Sequence, residues 1–331
     1  MAVKMITRKH IPKESIAKTI YLQNKLVSSN KGYFFSLIVV FLLALSALVL
    51  FSATTVISTT NEDANTLRFS TIESFIYTVK KDSSQALHIA SLRSLLFIQE
   101  EMIREGDYLK SVDDIIESLI LRGIYVKNSI TEEPAYLAKS AMHDWQENII
   151  FLGNAQNMKV AFANHNIILE QSSPWELIIS INTTMTIDDL LTDASWNLPY
   201  IAKTTIPITQ LVDPVSIVGT YSRYPKTLTQ CPFETMSVND CLEQQQYIVS
   251  AHAPSYLSRL RGDMQSDTYG ILTTVSIPDL ASDDIFYISE SVIDWQYFEE
   301  VEGVATCHVQ GQSSWFRIDQ EVAIELGVTC N

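Results

Sequence analysis

The sequence predicts an α+β protein: a long N-terminal transmembrane and amphipathic helix, a helical shoulder, and then a β-rich, disulfide-stabilised extracellular domain. Three observations predict it. An apolar run from Tyr33 to Phe51 contains no charged residue. Through the next hundred residues apolar side chains recur at mostly helical steps, marking helices with one buried face. At Met158 the period drops to two, that of a half-buried strand. These features divide the chain into a basic cytoplasmic leader (1–32), a transmembrane helix (33–56), an extracellular helical region continuing from it (57–156) and a β-rich extracellular domain (157–331) holding a cysteine-containing loop (221–246).

The nineteen residues of the apolar run, at about 1.5 Å rise each, approach the thickness of a bilayer's hydrocarbon core. A cleaved secretory signal has a shorter apolar region behind a shorter head, so the run reads as a span rather than a removable signal. Seven basic residues and one acidic residue, Glu14, precede Tyr33. By the positive-inside rule the leader is cytoplasmic and the C-terminal domain extracellular, which makes a single-pass protein of the cell membrane with lipid as its first partner.

The whole chain carries 23 Lys and Arg against 38 Asp and Glu, a net charge of −15. Without the leader's contribution the remainder stands near −21, a surface that repels nucleic acid and anionic lipid. All four cysteines, Cys231, Cys241, Cys307 and Cys330, lie on the predicted outer side, where disulfides persist. Four cysteines allow three connectivities. Closure of the shorter loops costs least entropy and favours Cys231–Cys241 with Cys307–Cys330, while the absence of C-x-x-C spacing argues against zinc.

From Asn61 to Lys81 there is no Gly or Pro, and Leu67, Ile72, Phe75, Ile76 and Val79 form a helical stripe, so the membrane helix is expected to continue outward as a rod. Leu87, Leu92, Leu95, Leu96 and Ile103 mark a helical pattern ending near Gly106. Val112, Ile115, Ile116, Leu119 and Ile120 mark another, ending at Gly123. A fourth helix is expected from Thr131-Glu-Glu-Pro134, with Thr131 as cap and an acidic first turn, toward Gly153.

"MKVAFANHNIILE" and "WELIISINTTMTI" alternate, with Val160 and Phe162 on one face and Trp175, Leu177, Ile179 and Ile181 after them. "IAKTTIPITQL" and "YGILTTVSIPDL" are further strand candidates. "FYISESVIDWQYF" and "SSWFRIDQEVAIELGV" suit strand and helix edges alike. The block 221–246, with two prolines and two cysteines, reads as a disulfide-pinned loop.

A basic leader ending in Lys31-Gly32, with Tyr33 as the first mature residue and an uninterrupted apolar helix behind it, resembles the class III signal of archaeal type IV pilin-like proteins. "IPITQLVDPVSIVG" (206–219), "HAPSYLSRLRGD" (252–263), "YGILTTV" (269–275) and "SVIDWQYF" (291–298) are similar to segments of large pilin-like membrane proteins of archaea. The resemblance implies removal of the leader after Gly32 by a prepilin peptidase, and self-association or packing with other pilin-like subunits through the apolar helix. Leu37 stands where bacterial mature pilins often carry an acidic residue. The outer part, of about 280 residues, is large for a major subunit, which places the chain among minor or membrane-resident members.

Chemistry-bearing motifs are few. The glycines are isolated, so G-x-G-x-x-G and P-loop patterns are absent. His88, His143, His165, His252 and His308 fall in no H-E-x-x-H pattern and read as surface or capped residues. Asp188-Asp189 and Asp283-Asp284 could offer hard oxygens to calcium, yet no D-x-D-x-D-G loop accompanies them, and they read as turn residues. G-x-S-x-G is missing, and the one S-x-x-K, from Ser15 to Lys18, lies in the leader. Asp213-Pro214 reads as the cap of a helix and Gly262 as the end of one, within Arg261-Gly262-Asp263. Asn182-Thr183-Thr184 is an N-glycosylation acceptor inside a strand candidate.

No catalytic residue, metal ligand or cofactor is therefore expected. The function that follows is structural or interactive: a pilin-like surface component, with a membrane-tethered sensor or ligand-binding ectodomain as the alternative and a tethered enzyme third.

Overall fold

A computed structural model describes residues 38–46, 61–127, 130–135, 137–287 and 289–331. The described parts are α+β and carry two disulfides, Cys231–Cys241 and Cys307–Cys330. Two compact units divide at Ile72. In the first, residues 38–46 form a helix, α1, whose large apolar side chains are all exposed. Among the described residues no helix is long and apolar enough to cross a membrane. The remainder of the predicted span lies outside the described residues.

Helix α2 (Asn61–Glu105) covers in one element the two helical patterns read separately from sequence. Its residues contain neither Gly nor Pro, so nothing interrupts the hydrogen-bond ladder. In the second unit its inward face carries the small residues Ser83, Ala90, Ser91 and Ser94 beside Leu87, Leu95 and Ile98, all buried. Ser94 and Ser83 return their hydroxyls to the helix's own carbonyls, Ala90 and Lys80, which satisfies the buried groups locally. Helix α3 (Val112–Arg122) ends at Gly123 in the left-handed conformation, φ 69°.

The predicted helix start at Thr131 is corrected by the structure. Ile130–Glu132 is a strand, β2, paired antiparallel with β1 (Tyr125–Lys127). Pro134 disfavours helical geometry at Glu133, and α4 (Met142–Ala155) begins ten residues later than the Thr131 cap would give, with Asp144 accepting from the Ala141 N–H at 3.1 Å.

Strands β3 (Met158–Ser173), β4 (Glu176–Asp189) and β5 (Ser195–Pro207) form an antiparallel meander in the order β3-β4-β5. Leu177, Ile179, Ile181, Met185 and Ile187 of β4 are buried on one face, as the two-residue period dictates. Thr204 on that face meets α2 through His88, Nδ1 to Oγ1 3.0 Å. Both edges of the sheet carry devices that discourage further pairing: a register shift after Ala163 in β3, with Asn164 at φ 57°, and Pro199 and Lys203 in β5.

Beyond Pro207 the strands shrink to two or three residues and short helices dominate, so the β-rich character belongs to residues 158–207. These elements are α5 (Pro214–Gly219), α6 (Val238–Glu243), β6 (Ile248–Val249), α7 (Tyr256–Arg261), β7 (Ile271–Leu272), α8 (Ile277–Ser282), α9 (Asp294–Phe298), β8 (Thr306–His308), β9 (Arg317–Asp319) and α10 (Gln320–Leu326). The expected strand "YGILTTVSIPDL" is mostly not one. Only Ile271–Leu272 forms a strand, with a single antiparallel bridge from Thr274 to Ile293 after it, and Ser276 then caps α8, its hydroxyl accepting from the Asp279 N–H at 3.4 Å with Pro278 in the first turn. The block 221–246 likewise holds a helix, α6, that carries Cys241.

Candidate functional site

Two apolar clusters form the second unit. One gathers α2, α3 and the inner face of the sheet, and the other gathers the C-terminal helices around Val215, Leu272, Ile293 and Phe298. Between them lies a set of charges in which Asp213, Arg259 and Asp294 are buried with Tyr247, and Lys226 is half-buried.

Each member is positioned by local chain chemistry. Asp213 caps α5, Oδ1 accepting from the Val215 N–H at 3.1 Å, and Pro214 occupies the first turn where its missing donor costs nothing. Its Oδ2 accepts from Tyr247 Oη at 2.8 Å and from Arg259 Nη1 at 2.9 Å. The same Nη1 donates to Asp294, the first residue of α9, whose other oxygen accepts from the Thr273 N–H at 3.2 Å. Arg259 Nη2 donates to the Ile271 carbonyl. Lys226 Nζ donates to Thr273 Oγ1 at 3.0 Å and to the Thr274 carbonyl at 3.3 Å, and lies 5.4 Å from the centre of the Tyr247 ring. Two cations and two carboxylates thus balance, with Arg259, Asp213 and Asp294 buried and Lys226 half-buried beside them.

The electrostatics follow from burial. Burial pushes Lys226 down to about 8, opposed by Asp294 and Asp213. Burial likewise raises the Asp213 carboxyl, which Arg259 partly offsets, and raises the Tyr247 phenol. For Arg259 burial works against the charge, and the two carboxylates overcome it, leaving its pKa raised. Buried charges cost free energy unless paired and hydrogen-bonded; here Arg259 pairs with Asp213 and Asp294, and Lys226 donates to a hydroxyl and a carbonyl.

The cavity beside Lys226, walled by Tyr224, Val275, Leu280 and Phe298, measures about 10 Å³, at the lower limit for one water molecule. The arrangement joins α5, α7, α9 and β7. A wider groove of about 360 Å³ is lined by Glu290, Glu300 and Glu302 with no Lys or Arg among its lining residues.

The residues singled out from sequence are scattered. Lys31, Gly32 and Tyr33 lie outside the described residues. Cys231 and Cys241 pin the segment before α6, and Cys307 on β8 is tied to Cys330. Asn182 sits in the middle of the central strand β4, half-buried between Asn166 and Ile201. His165 meets Thr183 at 3.0 Å, with its pKa lowered by burial and by His143; His308 Nε2 meets the Ser313 carbonyl at 3.1 Å. Exposed His143 and His252 approach Glu147 and Glu321 at 3.3 and 3.5 Å. Asp188 accepts from Ser195 and Asp189 from Thr192, both bracing the β4–β5 turn, while Asp283 ends α8. Among the described residues no group of three or more His, Cys, Asp or Glu side chains is placed to hold a metal ion. Gly262, at φ 73°, ends α7, and Arg261 pairs with Asp113 at 2.9 Å.

Sequence reasoning found Asp213 as a cap but missed Arg259, Asp294, Lys226 and Tyr247 as its companions. One signal was present: Arg259 falls three residues after Tyr256, on the apolar face of its helix. No protein-family model, curated protein or solved structure matches the chain.

Proposed function

We propose that the chain is a membrane-anchored, pilin-like surface protein with a structural or interaction role, a minor subunit or component of a cell-surface appendage. The observation that carries this reading is α1: in residues 38–46 seven large apolar side chains, Ile38 to Leu43 and Leu45, are 44–63% exposed. A helix apolar all round asks for lipid or for copies of itself. The basic leader and Lys31-Gly32 before it supply the orientation and the processing signal. Two disulfides in the outer part agree with an oxidising exterior. The balanced charge set around Arg259 supports a rigid body.

The test is mass spectrometry of the mature protein together with membrane fractionation. The reading expects an N-terminus at Tyr33 and a chain released only by detergent. A soluble chain that begins at Met1 would falsify it.

A further inference from the structure

The turn between β4 and β5 holds two neighbouring leucines in solvent, Leu190 and Leu191, 61 and 63% exposed. The turn is firmly built. The Asp189 N–H donates to the Ala194 carbonyl at 2.8 Å, and the buried Asp189 carboxylate accepts from Thr192 Oγ1 at 2.5 Å and from the Leu191 N–H at 3.4 Å. The Leu190 N–H donates to the Asn157 carbonyl at 3.0 Å, which ties the turn to the loop leaving α4. On α4 itself Phe151 and Leu152 are 71 and 49% exposed, and no charged residue occurs from Asn148 to Met158. Two adjoining segments thus end the sheet with four large apolar side chains exposed.

The same end is the one at which the chain enters the second unit. There α2 and β5 run side by side in one direction, since Ser83 meets Tyr200 and His88 meets Thr204, the latter at 3.0 Å. From His88 back to Glu73, the first residue of the unit, the helix covers about 22 Å. From Thr204 back to Ser195, where β5 starts, the extended chain covers about 30 Å. Even an inclined strand therefore reaches the level of Glu73, and Leu190 and Leu191 stand past it. Upstream of Glu73 the chain leads to α1 and the apolar run of residues 33–51.

We propose that this hairpin tip inserts into the outer face of the bilayer that holds the apolar run, with Leu190 and Leu191 among the headgroups and Phe151 and Leu152 beside them. Burial of apolar surface supplies the attraction, and a chain already tethered supplies the local concentration. Lipid is the occupant that connectivity brings to this end in every copy, whereas a second copy would have to meet it head-on. Asp188 and Asp193 outweigh Lys159 at the rim, so neutral headgroups suit the tip and anionic ones repel it. The inference rests on the membrane-anchored reading above and adds a second lipid contact to it.

The experiment uses the full chain reconstituted in phosphatidylcholine vesicles. The four native cysteines are paired, so Leu191→Cys, Phe151→Cys and Ile324→Cys each take one environment-sensitive fluorophore; Ile324, on α10, is 80% exposed and serves as the aqueous reference. Co-flotation with the vesicles reads the anchor, and the labels read the tip. The labels at 191 and 151 are expected to emit at shorter wavelength than the label at 324. Lipids carrying a quencher about 5–10 Å below the headgroups should quench them several times more strongly. Replacing about a third of the lipid by phosphatidylserine should shrink that difference. A chain that co-floats while its labels at 191 and 151 stay as wet as the label at 324 overturns the proposal and leaves the anchor standing. A chain that does not co-float overturns both. A wavelength shift that vanishes as the chain is diluted in lipid marks contact with a second copy, and it too overturns the proposal.

Discussion

Arg259 Nη1 lies 2.9 Å from Asp213 Oδ2, with both side chains sealed from solvent. Since Asp294 shares the same guanidinium nitrogen, loss of Arg259 leaves two buried carboxylates facing each other. Arg259→Leu is expected to destabilise the second unit by about 3–5 kcal/mol, the penalty of an uncompensated buried charge. A thermal melt of the full chain in detergent should fall by roughly 10 °C, and an unchanged melt would show that the set carries no such weight.

Lys226 gives a dependence on pH. Its folded pKa, about 8, lies below the ordinary lysine value of 10.5. Between those values the unfolded chain keeps a proton that the folded chain has released, so stability rises with pH through this window, and below pH 8 the burial cost is fully felt. Relative to Lys226→Met, the parent chain should gain on the order of 1–2 kcal/mol between pH 7 and 9.5 in urea unfolding. Above pH 10 buried tyrosines such as Tyr247, whose pKa burial raises, contribute the opposite slope. A constant difference between the two chains from pH 7 to 9.5 would refute the assignment.

Gly270 is held where a side chain has no room. A Cβ there would lie 2.0 Å from the Ala253 carbonyl oxygen and 2.3 Å from that of Ser250. The obstacles are backbone atoms, and Gly270 itself accepts from the Ser250 N–H at 3.0 Å, so relief requires moving the chain between α7 and β6. Gly270→Ala should cost about 1–3 kcal/mol or more, read as a lower urea midpoint, and a neutral result would show that this loop yields freely.

The Cys231–Cys241 bridge closes a loop with a sequence separation of 10. The joint change Cys231→Ser and Cys241→Ser should lower stability by about 2–3 kcal/mol, chiefly by freeing the unfolded chain. Equal melting of the two proteins would contradict that estimate.

Sequence pattern carries this fold where one face of an element repeats. The alternation in "WELIISINTTMTI" gives β4 its buried face, and the Gly123 and Gly262 stops are legible because αL geometry suits glycine. Pattern fails where tertiary pairing decides. Ile130–Glu132 reads as an acidic helix start, yet it becomes a strand because Tyr125–Lys127 offers a partner. Arg259 reads as one of two arginines on a short helix, and what carries it inward are carboxylates 46 and 35 residues away in the chain. Neither distance leaves a local trace. The cysteine pairing was more accessible, since the two shorter loops are the ones closed.

The bond between Cys330 and Cys307 also has a mechanical reading. Tension applied to the chain beyond Cys330 passes straight through sulfur to β8 and bypasses the 23-residue separation between them. Strand β9 and helix α10 would therefore be spared from peeling, and the load would fall on the backbone at Cys307. A domain wired in this way tolerates a tug from its far end without unravelling from that end first.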